Sequence, residues 1–348
     1  MKAWFKKYVL NFKLPAKTSR GEYGDRTVWF LFLEEDGVTG VGECAPLPGL
    51  SLETAEEVEF LLHELCRDPE KFISQPELTC PVSSVHLALE MAWLDLQNGG
   101  RQQLFPSEFC RGEAGIPING LVWMGDSDSM QKQTTEKIAA GYRCIKFKVG
   151  GIHFSQELEI LKSVRSNYNS GEIMLRIDAN GAFKPEEVMD KLHQLAPLDI
   201  HSIEQPVAAG QWQNLARICR ESPIPVALDE ELIGIYASRE KEQLLDTIQP
   251  HYLVLKPSLH GGFSGCNEWI ELAGKRAVSW WITSYLESNI GLNAIAQWTF
   301  SKNRCDFQGL GTGSLYTNNI LSPLSIRNGE LYSNPAHSFL FPENFNGW

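Results

Sequence analysis

Five short, largely apolar stretches in the middle of the chain each end in a charge, and the charges recur at nearly even intervals. Lys148 closes Cys-Ile-Lys-Phe-Lys, Asp178 closes Leu-Arg-Ile-Asp, Glu204 closes Ser-Ile-Glu, Asp229 closes Ala-Leu-Asp, and Lys256 closes Val-Leu-Lys. Successive members are 30, 26, 25 and 27 residues apart, about the length of one strand-plus-helix unit. A buried parallel strand should be apolar nearly throughout, so a charge repeated at each end marks something other than packing. Eight strand candidates lie at 117–123, 143–149, 173–178, 200–204, 226–229, 252–256, 280–284 and 306–310. Amphipathic stretches such as 154–166 and 185–195 separate them. Eight strands alternating with helices predict a parallel α/β barrel, whose active site is built at the C-terminal strand ends. An open doubly wound sheet is the competing architecture, but it does not demand this spacing.

Before this repeat the texture differs. Residues 28–33 and 37–43 read as strands joined by a turn at 34–37. Thr54-Ala-Glu-Glu57 is a capping box followed by Val58, Leu61, Leu62 and Leu65 at helical spacing. A second helix is expected over 83–96. Strands followed by helices make a small α+β unit. The polar stretch 18–26, with Arg20 and Arg26, reads as a hairpin loop or as a lid over the barrel mouth.

Asp178, Glu204 and Asp229, on three adjacent strands, should converge at the mouth. Left alone they would repel and their pKa values would rise. One such acid is most simply a helix cap or an ion-pair partner. Three in register, flanked by lysines, point to a hard divalent cation, Mg²⁺ with Mn²⁺ as a substitute, bound by oxygen ligands. No histidine pair at metal spacing suggests zinc.

Lys146 and Lys148 are two apart and share a strand face. Alone, that pair fits a solvated edge strand. Beside the acids it fits a base, because a neighbouring cation lowers a lysine's pKa. Strands two and six oppose each other in an eight-stranded ring, so Lys148 and Lys256 should face each other across the mouth. A metal beside a substrate carboxylate acidifies the proton on the adjacent carbon, and a lysine of lowered pKa can take it.

The overall balance restricts partners. A formal net charge of −12 argues against nucleic acid and anionic membranes, though not against a small anionic substrate at a local cluster of lysines. The eight cysteines form no Cys-x-x-Cys pair, which suits reduced thiols in a cytoplasm. The first ten residues are too interrupted by charge for a secretory signal, and no apolar run is long enough to span a membrane.

The set Lys146-Phe-Lys148, Asp178-Ala-Asn180, Glu204-Gln-Pro206, Asp229-Glu230 and Lys256-Pro257 resembles the enolase superfamily, in its muconate-lactonizing subgroup. Gly40-Val-Gly-Glu-Cys-Ala-Pro46 extends the resemblance to the N-terminal region. It implies a modified (β/α)7β barrel over 113–320, with an α+β capping domain over 1–112 completed by the tail 321–348. Within the subgroup, Pro117-Ile-Asn-Gly-Leu121, Thr283-Ser-Tyr-Leu-Glu-Ser-Asn-Ile-Gly-Leu292 and Gly309-Leu-Gly-Thr-Gly-Ser-Leu-Tyr316 are most similar to the o-succinylbenzoate synthase family. That family dehydrates 2-succinyl-6-hydroxy-2,4-cyclohexadiene-1-carboxylate in menaquinone biosynthesis. The resemblance implies Lys148 as base and then acid, Lys256 as a cation over the ring, and Glu230 as a partner of Lys256. It implies Asn180, Thr283, Ser284, Gly309 and Gly311 around the metal and a small dicarboxylate substrate.

Two departures narrow the choice. Dipeptide epimerases of the subgroup carry Asp-x-Asp at strand eight, where this chain reads Phe307-Gln-Gly-Leu-Gly-Thr-Gly313. Small residues and backbone amides there suit a carboxylate; as a phosphate cradle the stretch lacks Gly-Lys-Ser/Thr. Mandelate-racemase-like members use a histidine on strand seven, which here reads Trp280-Trp-Ile-Thr-Ser284. The alternatives are an N-acylamino acid racemase or another isomerase of the subgroup and, from another class, a barrel that binds a metal and an anion without turnover.

Overall fold

The structure, a computed structural model, describes residues 1–18, 21–303 and 306–341. Strands β1 (Lys2–Thr18), β2 (Gly21–Glu35) and β3 (Val38–Cys44) form an antiparallel sheet in that order. The apolar run in β2 is continuous because both faces are covered. Trp29, Leu31 and Leu33 pack with Val58, Leu62 and Leu65 of α1 (Ala55–Arg67), while Val28, Phe30 and Phe32 join the main core. Thr54 caps α1 reciprocally with Glu57, as the sequence predicts. Helices α2 (Pro69–Ser74) and α3 (Ser83–Gln97) complete this α+β cap.

The barrel follows as β4 (Ile116–Pro117), β5 (Gly120–Val122), α4 (Ser127–Ala139), β6 (Cys144–Lys148), α5 (Phe154–Asn167), β7 (Met174–Asp178), α6 (Val188–Leu195) and β8 (Ile200–Glu204). It continues with α7 (Trp212–Glu221), β9 (Val226–Leu228), α8 (Ser238–Ile248), β10 (Tyr252–Leu255), α9 (Gly262–Gly274), β11 (Ser279–Ile282) and α10 (Asn289–Phe300). Strands β5 to β11 form one parallel sheet in sequence order. In register, Lys148 lies beside Asp178, and Asp178 beside Glu204.

The eighth strand, expected over 306–310, is reduced to two single-residue bridges, Ile118 to Gln308 and Thr283 to Gly309. Four backbone hydrogen bonds close the ring there. Gln308 donates to Pro117 and accepts from Asn119; Gly309 donates to Ile282 and accepts from Ser284. A glycine-rich stretch has few side chains to pack on a pleated surface, so no longer ladder forms. The expected first strand is likewise divided, because Pro117 has no N–H for a central ladder. Its β4 pairs instead with β13 (Glu330–Ser333) of a C-terminal hairpin begun by β12 (Leu324–Arg327). Phe341 then meets Phe30 of the cap edge-on at 6.2 Å; residues 342–348 lie outside the described residues.

The stretch 18–26 is no loop from 21 onward, since Gly21 begins β2. Tyr23 pairs with Ala16 across the ribbon. Arg26 is buried and donates to the carbonyls of Ala45 and Tyr285, so it does not reach for substrate. Arg20 lies outside the described residues. Among the described residues, no helix is long and apolar enough to cross a membrane.

Candidate active site

Alternation on β6 turns Ile145 and Phe147 into the core and Lys146 and Lys148 into the barrel. Asp178 and Glu204 end β7 and β8, and Asp229 and Lys256 follow the last residues of β9 and β10. All six line one cavity of about 180 Å³ that the cap residues Tyr23, Leu47 and Leu50 also line. Counting the bridged segment as the eighth position, β6 and β10 lie four apart in the ring. Lys148 and Lys256 are therefore on opposite sides, as the spacing predicts.

The lysines are drawn onto the acids. Lys146 Nζ lies 2.7 Å from both oxygens of Glu204 and 2.9 Å from Asp178 Oδ2. Lys148 Nζ donates to Asn180 Oδ1 at 2.7 Å and lies 3.4 Å from Asp178 Oδ2. Lys256 Nζ reaches both oxygens of Asp229, at 2.6 Å from Oδ1. Burial disfavours the charge on Lys146, but Asp178 and Glu204 outweigh it and hold its pKa above the ordinary lysine value. Asp178 is likewise buried, yet Lys146 and Lys148 hold its carboxyl below the usual range. Burial and the neighbouring Asp178 push Glu204 up, against the pull of Lys146.

Among the described residues, no three His, Cys, Asp or Glu side chains stand close enough together to hold an ion between them. The donor set nevertheless fits Mg²⁺. Asp178, Glu204 and Asp229 offer carboxylate oxygens only, from adjacent strand ends, buried and facing one cavity.

Asn180 lies in the left-handed region, φ 43°, two residues beyond β7. Its side chain bridges Lys148 to Glu230, donating to Glu230 Oε1 at 2.9 Å. Glu230, at the start of a 3-10 turn over Glu230–Leu232, helps hold the charge on Lys256, as the resemblance implies, while its hydrogen bond goes to Asn180. Burial, then Asp229 and Asp178, push Glu230 up to about 7. Thr283, Ser284, Gly309 and Gly311 all line the cavity. Thr283 donates to the Gly309 carbonyl at 3.0 Å, and Ser284 pairs with Thr312 at 2.6 Å. A Cβ on Gly309 would stand 2.2 Å from Thr283 Oγ1, so that contact requires glycine.

Two supporting residues escaped the sequence reading. Gln205 Oε1 accepts the backbone N–H groups of Asp229 and Glu231, both at 3.2 Å, and so pins the loop that carries Asp229. Its only sequence signal is its place between Glu204 and Pro206. His260 Nδ1 accepts the N–H of Lys256 at 3.0 Å, and burial holds the ring neutral with a pKa down to about 3.

Comparison with known proteins agrees with this geometry. Residues 129–336 match the family described as enolase C-terminal domain-like. The o-succinylbenzoate synthase of Desulfotalea psychrophila is 42% identical, over 95% of this chain and 98% of that protein. The crystal structure of MenC from Desulfotalea psychrophila LSv54 superposes with a TM-score of 0.87 at 40% identity, covering 95% of this chain and 99% of that one. Muconate lactonizing enzyme from Pseudomonas fluorescens shares the fold, with a TM-score of 0.84 at 18% identity over 99% of this chain and 96% of that one. The chain therefore belongs to the enolase superfamily, as an enzyme of its o-succinylbenzoate synthase family.

Proposed function

We propose that this enzyme dehydrates 2-succinyl-6-hydroxy-2,4-cyclohexadiene-1-carboxylate to 2-succinylbenzoate and water, as a Mg²⁺-dependent step of menaquinone biosynthesis in the cytoplasm. The seven cysteines among the described residues are free thiols, which suits that compartment. Asp178, Glu204 and Asp229 would hold the ion. When bound, it supplies positive charge at the substrate carboxylate and lowers the cost of the negative charge left by proton loss.

The remaining steps belong to side chains. Lys148 takes the proton from the ring carbon bearing the carboxylate. The electron pair of that C–H bond becomes a ring double bond as the C–O bond at the hydroxyl-bearing carbon breaks. The proton on Lys148 leaves with the hydroxyl as water, and the ring becomes aromatic. Lys256 stays charged on the opposite side and stabilises the electron-rich ring by cation–π attraction. Asn180 accepts from the Lys148 ammonium and so orients it at the wall of the cavity. The cap, read as residues 1–112 with the tail 321–348, roofs the cavity of the barrel, read as 113–320.

The placement of Lys148 and Lys256 on opposite sides of one cavity, each against an acid, supports this reading most. Its test is turnover of the cyclohexadiene by purified protein, before and after chelation. Metal-dependent formation of 2-succinylbenzoate is expected. Rapid inversion of an N-acylamino acid, without turnover of the cyclohexadiene, would replace the dehydratase by a racemase.

A further inference from the structure

One wall of the cavity is the turn after β11, where Thr283, Ser284, Tyr285 and Leu286 line the space. Leu286 has φ 59°, so the turn sits in a backbone region that needs outside support. Part of that support lies within the barrel. Glu287 accepts the N–H of Tyr285 at 2.6 Å and the hydroxyl of Ser258, two residues beyond Lys256. Tyr316 donates to the carbonyl of Leu286 at 2.5 Å.

The rest comes from the cap. Arg26 of β2 donates to the carbonyl of Tyr285 and lies over its ring at 5.0 Å. Glu43 of β3 accepts from Ser288 N at 2.7 Å, Ser288 Oγ at 2.5 Å and Gly291 N at 2.8 Å. Glu43 and Glu287 are both fully buried, at 0% exposure, which for two acids in one seam is a costly arrangement. Gly291 makes room for the pair, since a Cβ there would stand 2.6 Å from Glu287 Cβ and 3.0 Å from Glu43 Oε2. Glu43 shares the capping of α10, since Gly291 N is one of its first-turn donors, but it does so from the cap domain. Ser288 already caps α10 by accepting from Ile290 N at 3.1 Å. Glu43 thereby adds a cross-link from the cap to Ser288, two residues beyond Leu286, where the cavity wall ends.

We infer that Glu43 is a positioning residue for substrate: from the cap it fixes Ser288 and through it the wall 283–286, so that cap docking and completion of the substrate-binding wall are one event. Glu43 touches no substrate and acts through Ser288 and its neighbour Glu287. It also gives a role to the Glu43 that closes Gly40-Val-Gly-Glu43, whose glycines let β3 approach α3.

The inference rests on the dehydratase reading for its kinetic test and carries a second readout that does not. With the cyclohexadiene substrate, Glu43→Ala should raise KM about tenfold while kcat stays within about threefold, the signature of lost ground-state positioning. Glu43→Gln, which retains one carbonyl acceptor, should fall between it and the wild type. Leu62→Ala, a destabilising change in the far core of the cap, should leave KM at the wild-type value. A KM within twofold of wild type in folded Glu43→Ala, or an equal KM shift in Leu62→Ala, overturns the proposal. If Glu43→Ala does not fold, Glu43→Gln decides by the same criterion. Hydrogen exchange gives the independent arm: the amide of Tyr285, which Glu43 does not touch, should exchange faster in Glu43→Gln. Unchanged exchange there overturns the positioning role even if the dehydration assay succeeds. If the wild type fails to turn over the cyclohexadiene, the dehydratase reading falls and the exchange result alone decides the positioning.

Discussion

The acids at the barrel mouth and the acids that brace the frame are equally buried, but they are held by different partners. Asp178, Glu204 and Asp229 rest on lysine ammonium groups at the ends of flexible stems. The framework acids rest mainly on backbone N–H groups and hydroxyls. Asp95 of α3 accepts from Val41 N at 3.0 Å and from Gln102 N at 2.5 Å. Glu157 of α5 accepts from Gly150 N at 2.7 Å and Gly151 N at 3.1 Å, fixing the loop beyond Lys148. Glu43 and Glu287 serve the seam in the same way. A lysine can swing aside and leave a carboxylate free for an ion or a proton, whereas a backbone amide cannot. The mouth is therefore built to exchange its partners and the frame is built to keep them.

The largest expected effect would break this contrast most directly. Asp178→Ala, Glu204→Ala and Asp229→Ala should each abolish turnover while the circular dichroism spectrum stays native. EDTA should inhibit the wild type, and Mg²⁺ or Mn²⁺ should restore it. Full activity after exhaustive chelation would place these acids with the framework set.

The next effect divides the two lysines. Lys148→Arg should lose about a thousandfold or more in kcat, because guanidinium does not deprotonate near neutral pH and general-base catalysis contributes that order of rate. Lys256→Arg keeps the charge and should retain measurable dehydration. Equal losses, together with inversion of N-succinylamino acids in D₂O, would favour two-base racemisation.

At the frame the expected loss is stability. Asp95→Ala leaves the buried N–H groups of Val41 and Gln102 unpaired, at a cost on the order of 1–3 kcal/mol each. Chemical denaturation should report that loss while kcat stays close to wild type. A fall in kcat with unchanged stability would contradict the division.

The smallest effect is one of pH. Burial pushes the Asp95 carboxyl up to about 6 in the folded protein, above its value of about 4 in the unfolded chain. An acid whose folded pKa is raised contributes stability that is full at low pH and is lost as pH rises through the folded value. The stability of the wild type relative to Asp95→Asn should therefore decline from about pH 4 to pH 6 and be flat above. A rise over that interval would mean that the amide donors outweigh burial.

How far this contrast was legible depends on the range of the interactions. The mouth shows in the sequence because a charge ending each apolar strand breaks a local rule, and the breach recurs once per unit. Lys148, Asp178, Glu204, Asp229 and Lys256 could be placed from that alone. The framework acids break no local pattern. Glu43 looks like one polar residue near the end of a strand, and its partner Ser288 lies 245 residues away. Glu230 acts on Lys256 by charge, as expected, but its hydrogen bond to Asn180 depends on a turn that spacing does not specify. Arg26 suggested substrate contact by its charge, but a guanidinium serves equally well to gather two backbone carbonyls. The eighth strand was placed correctly, but its shortness follows from Gly309 and Gly311, whose effect on a ladder cannot be weighed until the neighbouring strands are known.

That short closure matters for how the ring could fail. Among the described residues, the gap between β5 and β11 is bridged by Gln308 and Gly309, through Ile118 just before β5 and Thr283 just after β11, so a chain cut before residue 306 would carry two bare strand edges. Those edges are largely apolar and carry unpaired backbone groups, which is the condition for pairing between molecules. Interrupted synthesis at this point would yield a sticky, self-associating product. Gln308 and Gly309 thus cover both edges of the sheet.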